Sequence, residues 1–364
     1  MKLKICYLAN GQSIHTRKWV KYFADKGNCV HLITFHNTDQ IEGVKVHNLK
    51  YSSKLSYPTR ILAVKKAVEE IHPDILHAHY VSNYGVYATL TGFRPFVVSS
   101  WGSDVLIEPK ESMIKRCLVK YVLKKANLIT VDSESSIKLV MNFGAHSEKV
   151  RLIGHGVNLK IFNPLVENKK LKEKLKIPIS SPVVISTRSL EPIYDVETLI
   201  KAVPIVLRSI SDAYFIIACD GSLRRKLETM ADELRVSNNV RFVGLVSQVE
   251  LAQLLCSSDV YVSTSLSDTT SVSLLEAMAC GLPVVVTELE GNMEWIKNEV
   301  NGFLFPKGDF RMLADRIIYL LRNEDTRKKF GAVNRQIVKE RADYEKEMSK
   351  MEELYKNLIR KCER

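Results

Sequence analysis

The most informative stretch of the sequence is Ser267-Asp-Thr-Thr-Ser-Val-Ser-Leu-Leu-Glu276, which continues as Ala277-Met-Ala-Cys-Gly-Leu-Pro-Val-Val-Val286. Two carboxylates, Asp268 and Glu276, lie on either side of seven residues. A hydroxyl-rich loop between them leads into a predicted helix, which ends at Gly281 and is followed by an apolar, β-branched strand. The free backbone N–H groups at such a helix start suit the diphosphate of a nucleotide-sugar, and the two acids suit its hydroxyls.

Length and composition indicate a soluble protein with two domains. The chain has 364 residues, which is too long for one ordinary core, and 46% of them are hydrophobic and 26% charged. No run of the sequence approaches the roughly 20 uninterrupted apolar residues of a membrane span. The amino-terminal run 1–10 is too short for a signal peptide and predicts a first core strand. We therefore predict a cytoplasmic protein.

The cysteines, histidines and glycines exclude several classes of site. The seven cysteines are scattered without a Cys-x-x-Cys pair, and the nine histidines show no metal spacing. The first loop holds a single glycine, Gly11, so the dinucleotide fingerprint of nicotinamide and flavin enzymes is missing. We predict neither a metal nor a cofactor. The net charge of +12 suits an anionic substrate or membrane, but no nucleic-acid-binding motif accompanies it, so we predict no specific nucleic-acid partner.

Apolar strands alternate with amphipathic helices along the whole chain, which predicts α/β architecture with parallel sheets covered on both faces. After Asn163-Pro164 the composition shifts to a lysine-rich segment, and the alternation then restarts. We predict domains at 1–165 and 166–345, with a helix at 346–364 that packs back on the first domain.

Polar and glycine-bearing segments follow the predicted strands. Facing α/β domains bind ligands in the crevice at the carboxyl ends of their strands, so these segments are candidates for the site. They lie at 10–17, 77–85, 99–104, 188–195, 220–223 and 267–273.

The order and content of these segments resemble glycosyltransferase family 4, a large retaining family. The resemblance covers nearly the whole chain and is densest from 183 to 309. It implies the GT-B fold, with two Rossmann-like domains facing across a cleft, the first binding the acceptor and the second the nucleotide-sugar. The segments that carry it are the Asp268…Glu276-Ala-Met-Ala-Cys-Gly-Leu-Pro-Val block, Asn239-Val-Arg-Phe-Val-Gly-Leu245, Arg188 followed by Asp195-Val-Glu-Thr-Leu-Ile200, Gly156-Val-Asn-Leu-Lys-Ile-Phe162, and Asn301-Gly-Phe-Leu-Phe305.

The resemblance assigns donor roles to the opening stretch. It implies that Glu276 binds the nucleotide ribose and that Asp268, where the family more often has glutamate, contacts the donor sugar. The amides of Thr270, Ser271 and Val272 would bind the diphosphate at the helix start. The alternative is that Asp268 is only a turn residue and Glu276 an exposed helix acid.

The resemblance also implies cations that neutralise the leaving diphosphate. Arg188, just after a predicted strand, fits this role, because charge grows on the leaving group as the glycosidic bond breaks. Tyr194 occupies the position where relatives have a lysine. Either Tyr194 donates a weaker hydrogen bond or another cation takes part, with Arg224 and Arg225 as candidates. Gly11 would let the backbone approach the donor phosphate.

Three residues of the first domain are candidates for the acceptor and sugar side. Trp101, in the run Trp101-Gly-Ser-Asp104, can present an apolar face and one N–H donor to a sugar ring. This run resembles a branch of the family that assembles surface polysaccharides and glycolipids. The alternatives are a core tryptophan with Asp104 capping a turn, and a surface role for the third candidate, His15.

The segment 113–125 predicts a basic amphipathic helix. Its apolar residues at 113, 114, 117, 118, 121 and 122 form one helical stripe. Such a helix either lies on an anionic membrane or packs its stripe on the sheet. The cations that would contact lipid are Lys115, Arg116, Lys120, Lys124 and Lys125.

We therefore expect a retaining, metal-independent glycosyltransferase that uses a UDP- or GDP-sugar and a hydroxyl of a glycan or lipid-linked acceptor. The resemblance implies same-face attack, with Arg188 and Asp268 as the catalytic pair. The expected location is cytoplasmic and peripheral at the inner membrane face. The alternatives are a GT-B nucleotide-sugar epimerase and a non-catalytic nucleotide-sugar-binding partner subunit.

Overall fold

The computed structural model describes residues 2–49, 57–166 and 169–362. The chain forms two compact units: the first unit is Met1–His155 with Lys346–Arg364, and the second unit is Gly156–Glu345. Residues 167 and 168 of the lysine-rich segment, and 363 and 364 of the carboxyl-terminal segment, lie outside the described residues.

The division between the units lies after His155 rather than after 165. Val157 forms a parallel bridge with Asp343, its N–H donates to the carbonyl of Ala342, and its own carbonyl accepts from the N–H of Tyr344. These long-range backbone hydrogen bonds place the segment from Gly156 onward in the second unit. The predicted boundary relied on the composition shift after Asn163-Pro164, which does not report backbone pairing.

The described part of the first unit contains a seven-stranded parallel sheet in the order β3-β2-β1-β4-β5-β6-β7. Its strands are β1 Lys4–Leu8, β2 Cys29–Thr34, β3 Val44–Asn48, β4 Ile75–His79, β5 Phe96–Ser100, β6 Leu128–Val131 and β7 Val150–Leu152. Its helices are α1 Ile14–Asp25, α2 Tyr57–Ile71, α3 Tyr84–Thr91, α4 Ser103–Leu106, α5 Glu108–Glu111, α6 Met113–Lys125 and α7 Glu134–Asn142.

The described part of the second unit contains a six-stranded parallel sheet in the order β10-β9-β8-β11-β12-β13. Its strands are β8 Val183–Ser186, β9 Tyr214–Ile217, β10 Val240–Phe242, β11 Val260–Ser263, β12 Val284–Thr287 and β13 Phe303–Phe305. The helices are α8 Lys169–Lys174, α9 Val196–Ser209, α10 Arg224–Glu233, α11 Gln248–Cys256, α12 Val272–Ala279, α13 Glu290–Met293, α14 Phe310–Arg322 and α15 Glu324–Arg341. A further helix, α16 Tyr344–Cys362, belongs to the first unit from Lys346 onward.

The prediction of α/β architecture with parallel sheets is confirmed. Every residue of β4, β5, β8 and β11 is buried, as expected for strands that helices cover on both faces. In each sheet the strand order reverses beside the first strand, between β1 and β4 and between β8 and β11. Loops at such a switch point diverge and leave a crevice, so the loops after these four strands can form a site.

The carboxyl-terminal helix α16 is bound to the first unit by buried polar contacts. The hydroxyl of Tyr355 lies within hydrogen-bonding distance of His77 Nδ1 and 3.0 Å from the hydroxyl of Tyr7. His77 Nε2 lies 2.8 Å from Ser99 Oγ, so both nitrogens of this buried ring have partners. Glu347, also on α16, accepts a hydrogen bond from the N–H of Gly154 at 2.8 Å.

Among the residues that the structure describes, none of the helices combines the length and the apolar character needed to cross a bilayer.

Candidate functional site

The opening stretch folds as its pattern predicts. Strand β11 ends at Ser263, and α12 begins at Val272 after an intervening loop. Ser271 is the N-cap residue, and its Oγ accepts a hydrogen bond from the N–H of Leu274 at 3.3 Å. The first N–H groups of a helix lack intrahelical acceptors, so the start of α12 is suited to an anion.

Arg188 lies in the loop after β8 and reaches the start of α12. Its Nη2 donates to Asp268 Oδ2 at 2.7 Å, and its Nη1 donates to Ser271 Oγ at 2.6 Å and to Ser273 Oγ at 2.9 Å. Only 8% of Arg188 is exposed. The two predicted catalytic residues are therefore joined in one ion pair between a buried arginine and a partly buried aspartate, and the pair bridges the two loops at the switch point of the second sheet.

Tyr194 stacks on the same guanidinium. The central carbon of Arg188 lies 4.2 Å from the centroid of the Tyr194 ring, a cation–π distance. The backbone carbonyl of Tyr194 accepts from Thr264 Oγ1 at 2.9 Å, which holds the residue in place. Tyr194 thus supports the arginine with its ring. Arg224, one candidate for a second cation, is bound to Asp220 and Glu228, at 3.2 and 2.9 Å.

The electrostatic environment keeps Arg188 charged. Burial acts to lower the pKa of its guanidinium, but the carboxylate of Asp268 and the side chains of Tyr261 and Tyr194 outweigh burial and raise it. Among the described residues, the Nε–H of Arg188 has no hydrogen-bond partner. A buried charged group with an unused donor is suited to an anionic ligand, because satisfying that donor removes a desolvation cost.

Two further donor candidates, Thr270 and Glu276, are buried near the start of α12. Thr270 is 6% exposed and Glu276, one turn into the helix, is 7% exposed. Glu276 is therefore not the exposed helix acid that the alternative interpretation required. Its contact with a ribose stays a prediction, as do the phosphate contacts of Thr270 and Val272.

Gly11 lies in the first unit, in the loop after β1. A Cβ on this residue would lie 2.4 Å from Thr38 Oγ1, and its N–H donates to Thr34 Oγ1 at 3.1 Å. The missing side chain is thus required by packing within the first unit. Its approach to a donor phosphate stays a prediction.

Gly291, at the start of the short helix α13, supports the loop of Asp268 and was not identified from the sequence. A Cβ on Gly291 would lie 1.9 Å from the carbonyl oxygen of Thr269 and 2.8 Å from that of Asp268. Any larger residue would displace this loop. The Glu-Gly-Asn run at 290–292 is the signal that could have indicated a close backbone approach.

The acceptor candidates His15 and Trp101 come together in the first unit with two histidines that sequence reasoning did not assign. The ring centroid of Trp101 lies 4.3 Å from that of His79 and 5.2 Å from that of His155. The rings of His15 and His155 are 4.5 Å apart. His79 Nε2 is buried and has no partner among the described residues. His15, His79, Trp101 and His155 thus form an aromatic cluster, in which His15 and Trp101 are partly exposed and the two other rings are buried.

Asp104 is fully buried below Trp101. Its Oδ1 accepts from Ser100 Oγ at 3.1 Å and from the N–H of Trp101 at 3.2 Å, and its Oδ2 accepts from the N–H of Val81 at 2.8 Å. Burial raises the pKa of this carboxyl to about 6, although its hydrogen bonds oppose the shift. The structure thus shows Asp104 fixing the backbone of Trp101, while a direct sugar contact stays a prediction.

Helix α6 turns a different face to the sheet from the one that its sequence suggested. Its buried residues are Val119, Val122 and Leu123. Met113 and Ile114, which the predicted stripe included, are 72% and 73% exposed. The interpretation that the whole stripe packs on the sheet is therefore wrong, because the short helix buries only its second half.

The histidines of the aromatic cluster are neutral. Burial lowers the pKa of His15 to about 4, with the charge of Lys18 as a second cause, and it lowers the pKa values of His79 and His155 well below 6.5. Burial also lowers the pKa of His77 to about 3. At neutral pH these rings therefore carry no imidazolium charge.

These shifts predict that acid destabilises the first unit. Between the unfolded pKa, about 6.5, and the lower folded pKa, only the unfolded state binds a proton to such a histidine. The free energy of unfolding therefore falls as the pH falls through this range, by at most about 1.4 kcal/mol per pH unit and group. Asp104 opposes the loss between about pH 6 and 4, but several histidines outnumber it. Urea unfolding followed by tryptophan fluorescence should give a lower free energy of unfolding at pH 5 than at pH 7.5.

The variant His155→Asn should weaken this pH dependence, whereas His36→Asn, an exchange at an exposed residue, should leave it unchanged. A free energy of unfolding that stays constant between pH 7.5 and 5 in the parent chain would contradict the assignment of neutral, buried imidazoles.

Two family models match the chain, one in each unit. Residues 167–337 match the family described as glycosyl transferases group 1, and residues 4–133 match the family described as glycosyl transferase 4-like. The first match lies within the second unit and the second match lies within the first unit.

Curated relatives and solved structures are similar over nearly the full length. The N-acetyl-alpha-D-glucosaminyl L-malate synthase of Bacillus anthracis is 25% identical over 99% of this chain and 98% of its own. The D-inositol 3-phosphate glycosyltransferase of Corynebacterium urealyticum is 23% identical over 88% of this chain and 84% of its own. The crystal structure of Anabaena HepE in complex with UDP-glucose superposes with a TM-score of 0.83 at 21% identity, covering 98% of this chain and all of HepE. The chain is therefore a glycosyltransferase of the GT-B type, whose first unit is similar to the glycosyl transferase 4-like family and whose second unit is similar to the glycosyl transferases group 1 family.

Proposed function

We propose that the chain is a retaining glycosyltransferase that transfers a sugar from a nucleoside-diphosphate sugar to a hydroxyl of a glycan or lipid-linked acceptor. The observation that carries this proposal is the buried Arg188, held at the start of α12 with its Nε–H unused. The complex of HepE with UDP-glucose supports a UDP-sugar as donor, and a GDP-sugar is the next candidate.

The donor diphosphate would lie between Arg188 and the first amides of α12. Arg188 and these amides can stabilise the negative charge that develops on the leaving phosphate, and a fixed array of donors does so without reorganisation. Glu276 would accept hydrogen bonds from the ribose hydroxyls, and Asp268 would accept one from a sugar hydroxyl. Asp268 already binds Arg188, so the phosphate and this carboxylate would share one guanidinium.

Bond exchange would occur on one face of the sugar. The bond between C1 and the phosphate oxygen breaks, and its electron pair stays on that oxygen. The acceptor oxygen bonds to C1 from the same side, and its proton moves to the leaving phosphate. Arg188 and the helix start would supply the positive charge that a metal ion supplies in other folds.

The acceptor side rests on two features of the first unit. The aromatic cluster can stack on a sugar ring and bind its hydroxyls. Helix α6 presents exposed Met113, Ile114 and Tyr121 beside exposed cations, which suits an anionic membrane that holds a lipid-linked acceptor. Two relatives are named for the small acceptors L-malate and D-inositol 3-phosphate, which are the alternatives to test.

Nucleotide binding should depend on Glu276. Charged hydrogen bonds are worth about 1.5–3 kcal/mol, so Glu276→Ala should raise the dissociation constant of the preferred nucleoside diphosphate roughly 10- to 100-fold. The preferred donor is identified first by thermal shift and by hydrolysis or transfer across UDP-, GDP- and ADP-sugars. Isothermal titration then measures the affinity of the variant.

Glu233→Ala, at an exposed position on α10, is the matched control and should bind as the parent chain does. A parent chain that neither binds a nucleotide nor turns over any of these sugars would overturn the proposed function.

Membrane binding should depend on the cations of α6. Each basic residue near an anionic surface contributes about 1 kcal/mol, so reversing three charges should abolish cosedimentation with phosphatidylglycerol vesicles at low salt. The variant carries Arg116→Glu, Lys120→Glu and Lys124→Glu. The control reverses three exposed lysines of the second unit, Lys201, Lys307 and Lys329.

The control should still sediment with anionic vesicles, and the parent should not sediment with phosphatidylcholine alone. Equal sedimentation of both triple variants would contradict a specific role for α6.

A further inference from the structure

The buried hydroxyl of Tyr261, in the second sheet, is connected to Arg188 through Ser273. Tyr261 belongs to the central strand β11, between β8 and β12, and it is completely buried. Its hydroxyl lies 2.8 Å from Ser273 Oγ. Burying a polar atom in such a core costs free energy unless the atom is hydrogen-bonded, so the contact with Ser273 is needed to offset the burial of this hydroxyl.

Ser273 links this hydroxyl to Arg188. Its Oγ accepts from Arg188 Nη1 at 2.9 Å and lies 3.1 Å from Ser271 Oγ. Ser271 Oγ accepts from the N–H of Leu274 and from Arg188 Nη1, and these two bonds fill its lone pairs. The proton of Ser271 is therefore directed to Ser273.

The number of lone pairs on Ser273 Oγ also fixes the direction of its hydrogen bond with Tyr261. Ser273 Oγ accepts from Arg188 and from Ser271, so its own proton is directed to the hydroxyl oxygen of Tyr261. Tyr261 thus accepts a hydrogen bond from Ser273 in a series of hydroxyls that begins at the guanidinium. Burial raises the pKa of Tyr261 while the charge of Arg188 opposes the rise, so the hydroxyl remains protonated at neutral pH.

The contacts of Arg188 show that this series of hydroxyls would control the orientation of the guanidinium. Both hydrogens of Nη1 are used by the two serines, one hydrogen of Nη2 is used by Asp268, and the ring of Tyr194 covers one face of the plane. The orientation of the guanidinium fixes where the unused Nε–H points. A shift of about 1 Å in a group that acts on the reacting bond can cost about 100-fold in rate.

We propose that Tyr261 is a positioning residue which, through Ser273, fixes the guanidinium of Arg188 so that its unused Nε–H faces the leaving diphosphate. This inference rests on the proposed function. Tyr261 itself contacts neither the guanidinium nor a ligand in this role, and it acts by holding the hydroxyl of Ser273 in one orientation.

The test compares Tyr261→Phe, Ser273→Ala and the double variant in sugar transfer from the preferred donor. Tyr261→Phe should lower kcat roughly fivefold to tenfold, with the KM for the donor within about twofold of the parent, because charge on the phosphate grows in the transition state. The double variant should lose no more than Ser273→Ala alone, since both act through one bond.

The matched control is Tyr214→Phe, the same exchange at the start of β9. Its ring stacks on Arg241, which phenylalanine preserves. This control should keep the parent kcat. A folded Tyr261→Phe variant with the parent kcat, or losses that add in the double variant, would overturn the proposal. If Tyr261→Phe does not fold, Ser273→Ala tests the same link.

A crystal structure of Tyr261→Phe separates this inference from the proposed function. The guanidinium of Arg188 should leave its contact with Ser273 and rotate out of its present plane, whatever reaction the chain catalyses. An Arg188 that keeps all of its contacts in the variant would overturn the positioning role. A parent chain inactive with every donor would overturn the proposed function alone.

Discussion

The cost of burying the positive charge of Arg188 is the constraint that organises the second unit. A buried cation is stable only with a partner and satisfied hydrogen bonds, and removing the partner of such a pair typically costs about 3–5 kcal/mol. Arg188 obtains these contacts from Asp268, two serines and the face of Tyr194. Because the partners come from loops after different strands, the ion pair fixes both loops where the strand order reverses.

The two candidate sites differ in their chemistry. The second unit concentrates charge on one arginine and the start of α12, an arrangement suited to an anion such as the proposed diphosphate. The first unit gathers four neutral aromatic or imidazole rings and holds the buried carboxylate of Asp104 in hydrogen bonds to backbone and hydroxyl groups. Rings without charge suit a hydroxylated ligand, which is recognised by stacking and by single hydrogen bonds.

Much of the fold could be predicted because its signals are local. The buried strands, the helix start at Ser271 and the polar loops after strands follow from periodicity and capping. The ion pair of Arg188 with Asp268 could not be predicted, because it depends on the strand order, which brings together residues that are far apart in the sequence. The chain passes from the first unit to the second after His155, because Val157 pairs with Asp343, a contact that composition does not reveal. In α6 the spacing of apolar residues suited more than one face, and packing selected Val119, Val122 and Leu123.

The central claim is that the charge of Arg188 stabilises the leaving diphosphate, and single-turnover transfer by Arg188→Gln tests it most directly. Loss of one preorganised charge at the reacting centre should lower the rate at saturating donor by at least about 100-fold. Arg224→Gln, which removes a guanidinium already bound to Asp220 and Glu228, should stay near the parent rate. A folded Arg188→Gln variant that transfers sugar within about threefold of the parent rate would contradict the account.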